Sequence, residues 1–264
     1  DIKHSRQLHY LYSYFKKLLR LIAKERIFFV VEHEYIDRDF IDDFARFYSK
    51  CKRSYPNKCL RIHFFSREVN HDLIATIIGE QQLAESKRTK YKEIQDNYLG
   101  FTIIRPLARP FVGRTVLRVY PKEAEDARER YYPCTREYEV NLAGITFTVT
   151  GLAFQQQDAT IAACASTAIW SALNKASFDA KYRVPTPGEV TESATLYHIE
   201  HGRPFPSSGL SITQICEGIR RSCGLEPELI NVSSAKTEYL KEVLHCYLNS
   251  RIPLIGAIRF YDEI

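Results

Sequence analysis

The chain contains no methionine and one tryptophan, Trp170, in 264 residues, although Leu, Ile and Phe are plentiful. It also lacks an even set of cysteines: seven cannot close into a disulfide framework, which favours a reducing compartment and makes the cytoplasm the expected location. No apolar run reaches bilayer length before a Lys, Arg or Asp interrupts it, which excludes a spanning helix and leaves no expected membrane role. HExxH and close cysteine pairs are missing, so no metal is expected, and GFTIIRPL from Gly100 is not followed by a glycine-rich phosphate loop. Neither sign of charge dominates. The 37 Lys and Arg interleave with 32 Asp and Glu for a net +5, so nucleic-acid binding is permitted by charge but not indicated by any zinc-finger or aromatic RNA-binding pattern. What is present is ordinary globular material, 45% apolar and 26% charged, enough for one large core or two moderate ones.

Hydrophobic periodicity predicts an α+β chain. Leu8, Leu11, Phe15, Leu19 and Ile22 line one side of an amphipathic helix, FFVVEHEYI from Phe28 has strand composition, and DRDFIDDFARFYSKCKR carries the acid-first, base-last bias of a helix. LRIHFF at Leu60–Phe65 reads as a second strand, and the Lys- and Glu-rich stretch from Glu80 to Asp96 as an exposed helix or connector. Residues 1–109 thus form an α/β-like region of unassigned role. PLARPFVGRT, Pro106–Thr115, contains two prolines and a glycine, and residues 110–131 are expected to link the first region to a second domain over 132–264. In that domain REYEVNLAGITFTVTG predicts a β-hairpin, and Ala159–Asn174 a helix. Ser211 and Gly224 bracket the helix ITQICEGIRRSCG, PELINV is a strand, AKTEYLKEVLHCYLNS a helix and PLIGAIRF a buried strand.

FQQQDATIAACASTAIW, Phe154 to Trp170, is the stretch with chemical content. A cysteine in the first turn of a helix meets unpaired backbone N–H groups and the positive end of the dipole, which favour a nucleophilic sulfur. Ala163, Ala165 and Ser166 would leave Cys164 open to a carbonyl carbon, and an upstream amide, Gln156 or Gln157, could donate to the oxyanion formed on attack. The same Ala-rich series also suits close helix packing around a buried cysteine, and both readings stand at this point.

With Gln157 seven and Gln156 eight residues before Cys164, Trp170 after it in the same helix, and a helix, strand, helix, strand order downstream, the stretch Glu137 to Ile264 resembles the papain-like cysteine peptidase superfamily, particularly its bacterial C39-like branch. The position six before the cysteine, where the family's glutamine usually stands, is Asp158, and Ala163 and Ala165 stand where a glycine is common. The resemblance implies a central helix packed on an antiparallel sheet and a peptide or protein substrate. It also implies thiol-dependent acyl transfer without a cofactor: Cys164 as nucleophile, a glutamine and the Cys164 N–H at the oxyanion, and a later histidine as base. In the family that histidine opens the strand after the one matched by Pro253–Phe260, which places the base beyond Ile264. Of the histidines at hand, His201, beside Gly202 in an irregular segment, is the candidate, ahead of His198 and His245. The alternative is a papain-like scaffold without turnover, acting as a binding or regulatory protein. Oligomeric state is not readable.

Overall fold

A computed structural model describes residues 6–80, 83, 88–107, 111–122, 129–157, 164–196, 210–232 and 237–257. The chain divides into two compact units, Asp1–Gln156 and Gln157–Ile264.

The first unit begins with α1 (Arg6–Leu21), β1 (Phe28–Tyr35), α2 (Arg38–Arg46) and β2 (Cys59–Phe65), then α3 (His71–Glu80) and α4 (Thr89–Asp96). It continues through β3 (Tyr98–Ile104), β4 (Val112–Leu117), β5 (Arg136–Leu142) and β6 (Ile145–Gly151). Strands β1 to β4 make one antiparallel sheet in chain order, and β5 with β6 a second, two-stranded one. Alternation explains the faces. Along β2 every second residue is buried, so Phe64 turns to one side of the sheet and Phe65 to the other. On the first side α1 lays Phe15 and Leu18 against Leu99, Leu117 and Phe64. On the second, Phe65 and Tyr98 meet Phe147 of β6 at ring distances of 5.7 and 5.1 Å.

The hairpin follows its sequence closely. Tyr138, Val140 and Leu142 alternate inward on β5, as do Ile145, Phe147 and Val149 on β6. The two-residue loop, Ala143 and Gly144, has φ of 49° and 81°, the left-handed pair that matches strand twist in a tight hairpin. Helix α4 packs on this second sheet. Tyr91 stacks on Phe147, its hydroxyl donates to the Thr146 carbonyl, and the Gln95 amide both donates to and accepts from the Thr148 backbone at 2.9 Å. Both antiparallel sheets thus carry a helix, and the fold is α+β.

Two expectations about organisation change. Residues 110–131 do not simply link two domains, because Val112–Leu117 forms β4, hydrogen-bonded to β3. Pro106 belongs to the turn between neighbouring strands, and Val112, Val116 and Leu117 are buried hydrophobic residues of the second one. The hairpin falls in the first unit. After it the chain returns along β4, with Phe154 and Thr115 exchanging backbone hydrogen bonds and the Gln156 N–H donating to the Val112 carbonyl at 3.0 Å.

The second unit contains α5 (Cys164–Asp179), α6 (Pro187–Thr195), α7 (Ile212–Cys223) and α8 (Thr237–Asn249). Helix α6 starts with Pro187 behind a capping box of Thr186 and Glu189, and α7 with a box of Ser211 and Gln214; α7 stops at Gly224, φ 74°. The two cross closely at Gly218, where an added Cβ would lie 3.1 Å from that of Ala194. Trp170, Ile169 and Leu173 form the buried side of α5. The expected strands at 227–232 and 253–260 carry no ladder among the described residues, which include 227–232 and 253–257. Their β-rich composition lacks a partner strand there, and a strand exists only through its pairing.

Candidate thiol site

Helix α5 is described from Cys164, which is exposed, whereas its neighbours Ser166, Thr167, Ile169 and Trp170 are buried. Its thiol donates to Oε1 of Gln157 at 2.8 Å. The seven-residue spacing therefore closes into a contact between the cysteine and one of the two glutamines singled out from the sequence. Gln156 lies elsewhere: its backbone and its Oε1 engage Val112, and its carbonyl accepts from the buried Arg105 guanidinium at 3.3 Å. Asp158, Ala163, His198 and His201 lie outside the described residues. His245 sits on α8 with Nε2 at 2.8 Å from the Asn249 amide, one helical turn on. Within the first turns of α5, the buried Ser166 and Thr167 hydroxyls have no hydrogen-bond partner among the described residues.

All seven cysteines are free, and Cys51, Cys164 and Cys246 are the exposed ones. Cys59 shows the opposite environment: burial, with the Asp37 charge beside it, pushes its thiol up to about 12 and leaves it inert as a nucleophile. Among the described residues no group of three or more His, Cys, Asp or Glu is placed to hold a metal ion, and no helix is long and apolar enough to cross a membrane.

A second concentration of chemistry, unmarked by any motif, lies in the first unit. Glu32 on β1 pairs directly with Arg61 on β2, two residues from the fully buried His63. The Glu32 carboxylate accepts from Arg61 and, at 2.8 Å, from His63 Nε2, while His63 Nδ1 lies 3.0 Å from the Tyr98 hydroxyl. Burial alone would raise the Glu32 carboxyl, but hydrogen bonds from His63 and Arg61 overcome it and hold the group down at about 2. Burial lowers His63 despite its bond to Glu32, so the ring is neutral, donating to Glu32 and accepting from a Tyr98 hydroxyl that burial keeps protonated.

Beside this relay Asp37 caps α2 through Oδ1 and accepts from Arg114 Nη2 through Oδ2 at 2.6 Å. Asp39 is more deeply compromised. Burial raises its carboxyl to about 6, the Arg114 charge only partly countering this and the Asp37 charge adding to it. Stability attached to a raised carboxyl is complete below its unfolded value and is lost as pH climbs through the folded one. Asp39→Asn is therefore expected to stabilise the first unit by about 1–2 kcal/mol at pH 8 and by almost nothing at pH 4. Urea titrations at the two pH values check this; equal gains at both would refute the assignment. Glu32 and His63 have lowered folded values and act in the other direction. The stability they hold is present above their unfolded pKa values and drains away on acidification, beginning with His63 below about pH 6.5.

No protein-family model, curated protein or solved structure matches the chain.

Proposed function

We propose that the second unit performs thiol-dependent acyl transfer on peptide or isopeptide bonds, as a papain-like, C39-like module. One observation carries this reading: the exposed Cys164 sulfur at the head of α5 is in hydrogen-bond contact with the Gln157 amide. In the first step the sulfur bonds to the carbonyl carbon and its proton passes to a histidine, the role this reading gives His201. The carbonyl electrons move to oxygen. The Cys164 backbone N–H and the Gln157 side chain, turned about its last torsion so that its NH2 faces the site, then donate to that oxyanion. The amine leaves with the proton held by the histidine, and water hydrolyses the thioester.

The chain supplies its own controls for a test, since Cys51 and Cys246 are also exposed, Cys51 with its thiol donating to the Phe47 carbonyl at 3.6 Å rather than to a glutamine. Iodoacetamide at neutral pH, followed by peptide mass mapping, is expected to alkylate Cys164 at least ~10-fold faster than either, a difference of about 1.4 kcal/mol in barrier. Gln157→Ala should narrow that ratio, and hydrolysis of fluorogenic peptides should vanish in Cys164→Ala. Labelling of all three thiols at one rate, with no peptide turnover, would reject the enzymatic reading.

A further inference from the structure

The four-stranded sheet of the first unit has two outer strands, β1 and β4, and they are treated differently. The free side of β4 is taken by the returning chain, where Phe154 and Thr115 exchange backbone hydrogen bonds and the Gln156 N–H reaches the Val112 carbonyl. Strand β1 pairs only with β2, and among the described residues its backbone makes no hydrogen bond on the other side. Every second N–H and C=O of an outer strand is thereby offered to whatever lies alongside.

Proteins blunt such an edge with lysine, proline, a bulge or brevity. FFVVEHEY is eight residues long and contains neither lysine nor proline. Its one irregularity, the slip between Glu32 and Tyr35 with Glu34 at φ 55°, comes at the C-terminal end and leaves Phe28–Glu32 in regular register with β2. That regular part is apolar up to Glu32. Phe29 lies across from Phe64, on the α1 side of the sheet, and is 67% exposed. A large apolar ring thus stands on the open strand at a position where a guarding charge would be expected.

Charge indicates what fits against it. Lys24, Glu25 and Arg26 precede β1 and are all exposed, with a net positive charge, and Arg26 forms no ion pair among the described residues. The other end of the strand carries Glu32, His33 and Glu34. Glu32 is committed to Arg61 and His63, but Glu34 is 75% exposed and gives only Oε1 to Lys58. With one end basic and the other acidic, a second β1 is attracted in antiparallel orientation and repelled in parallel. Outward backbone groups recur every second residue, so two identical antiparallel strands match only where the residue numbers facing each other add to an even number. A two-fold axis at Val30 meets this condition and keeps the whole regular stretch in the ladder. Phe29 then faces the partner's Val31, and Arg26 comes level with the partner's Glu34.

We propose that β1 is the contact of a two-fold dimer of this chain, in which two copies of the sheet join edge to edge, Phe29 and the partner's Val31 cover each other, and Arg26 pairs with the partner's Glu34 at both ends. The contact lies wholly in the first unit and does not depend on the thiol reading.

Sedimentation equilibrium of the full chain is the test. The mass should climb from 30.7 kDa toward twice that value as the concentration approaches about 300 μM. Phe29→Lys changes an exposed side chain and should weaken the dimer at least ~10-fold. Arg26→Glu sets like charges opposite each other twice per dimer and should weaken it by about 5–10-fold, whereas Arg26→Glu combined with Glu34→Arg should return it to within ~3-fold of the wild type. Circular dichroism confirms that each variant is folded. A chain that stays monomeric throughout, a dimer indifferent to Phe29→Lys, or a double exchange that binds no better than Arg26→Glu alone would overturn the proposal, the last two by moving the contact to another surface or register.

Discussion

Replacing Arg61 by methionine is expected to destabilise the first unit by about 3–4 kcal/mol, although methionine keeps most of the apolar stem. Arg61 is nearly buried, with 9% of its side chain exposed, and its guanidinium holds three groups on two other strands: Glu32 and Tyr35 on β1 and the Asn141 carbonyl at the end of β5. Without it, Glu32 keeps only His63 as a partner among the described residues, and the Asn141 carbonyl loses its Arg61 donor. A buried charge stripped of its partner costs far more than the pair contributes over an apolar substitute, which sets the size of the effect. Lys58 and Glu34 form the contrasting case, an ion pair at 2.9 Å whose side chains are 48% and 75% exposed, so Lys58→Met should change stability by under ~0.5 kcal/mol. Urea unfolding followed by tyrosine signals or amide exchange makes the comparison. Trp170 fluorescence is unsuitable, because the tryptophan belongs to the second unit. Equal effects of the two substitutions would show that the Arg61 network carries no special share of stability.

Gly100→Ala is expected to cost still more, about 3–5 kcal/mol. Gly100 lies in β3 at φ 118°, and a Cβ there would stand 2.1 Å from the Val116 carbonyl oxygen and 3.0 Å from the Leu117 Cα. Neither obstacle is the end of a flexible side chain, so the β3–β4 ladder itself must move. Gly144→Ala separates backbone strain from collision: the hairpin glycine has φ 81° but nothing within 4 Å of an added Cβ, and its substitution should cost only about 1 kcal/mol. Thermal melts should show a drop of roughly 10 °C or more for Gly100→Ala, against a few degrees for Gly144→Ala. Similar drops would mean that strain alone, rather than contact with β4, keeps glycine at position 100.

Where local signals were self-sufficient, the sequence announced the structure. Helix α7 is bounded by the cap at Ser211 and the stop at Gly224, and the hairpin by strict alternation around Ala143 and Gly144, because these depend on neighbours a few positions away. Strand β4 was obscured by the prolines and glycine around it, which mark a turn equally well whether the next segment is a linker or a paired strand. The segments at 227–232 and 253–257 erred the other way, since composition shows willingness to pair and not the presence of a mate. For the thiol site, both upstream glutamines stood out in the sequence, and only the fold tells them apart: Gln157 meets Cys164, whereas Gln156 engages Val112. The network of Glu32, Arg61, His63 and Tyr98 was invisible in the sequence because its members come from three strands and meet only through register.

The outer side of the hairpin has a further consequence. The carbonyls of Thr146, Thr148 and Thr150 on β6 accept, in turn, from the Tyr91 hydroxyl, the Gln95 amide and the Val119 N–H. None of these donors belongs to a strand running alongside. A two-stranded ribbon would ordinarily offer such a row to any extended chain it met, and so invite intermolecular stacking into larger sheets. Here two side chains of one short helix and a single loop amide occupy the row, closing the β6 edge to an incoming strand without lengthening the sheet.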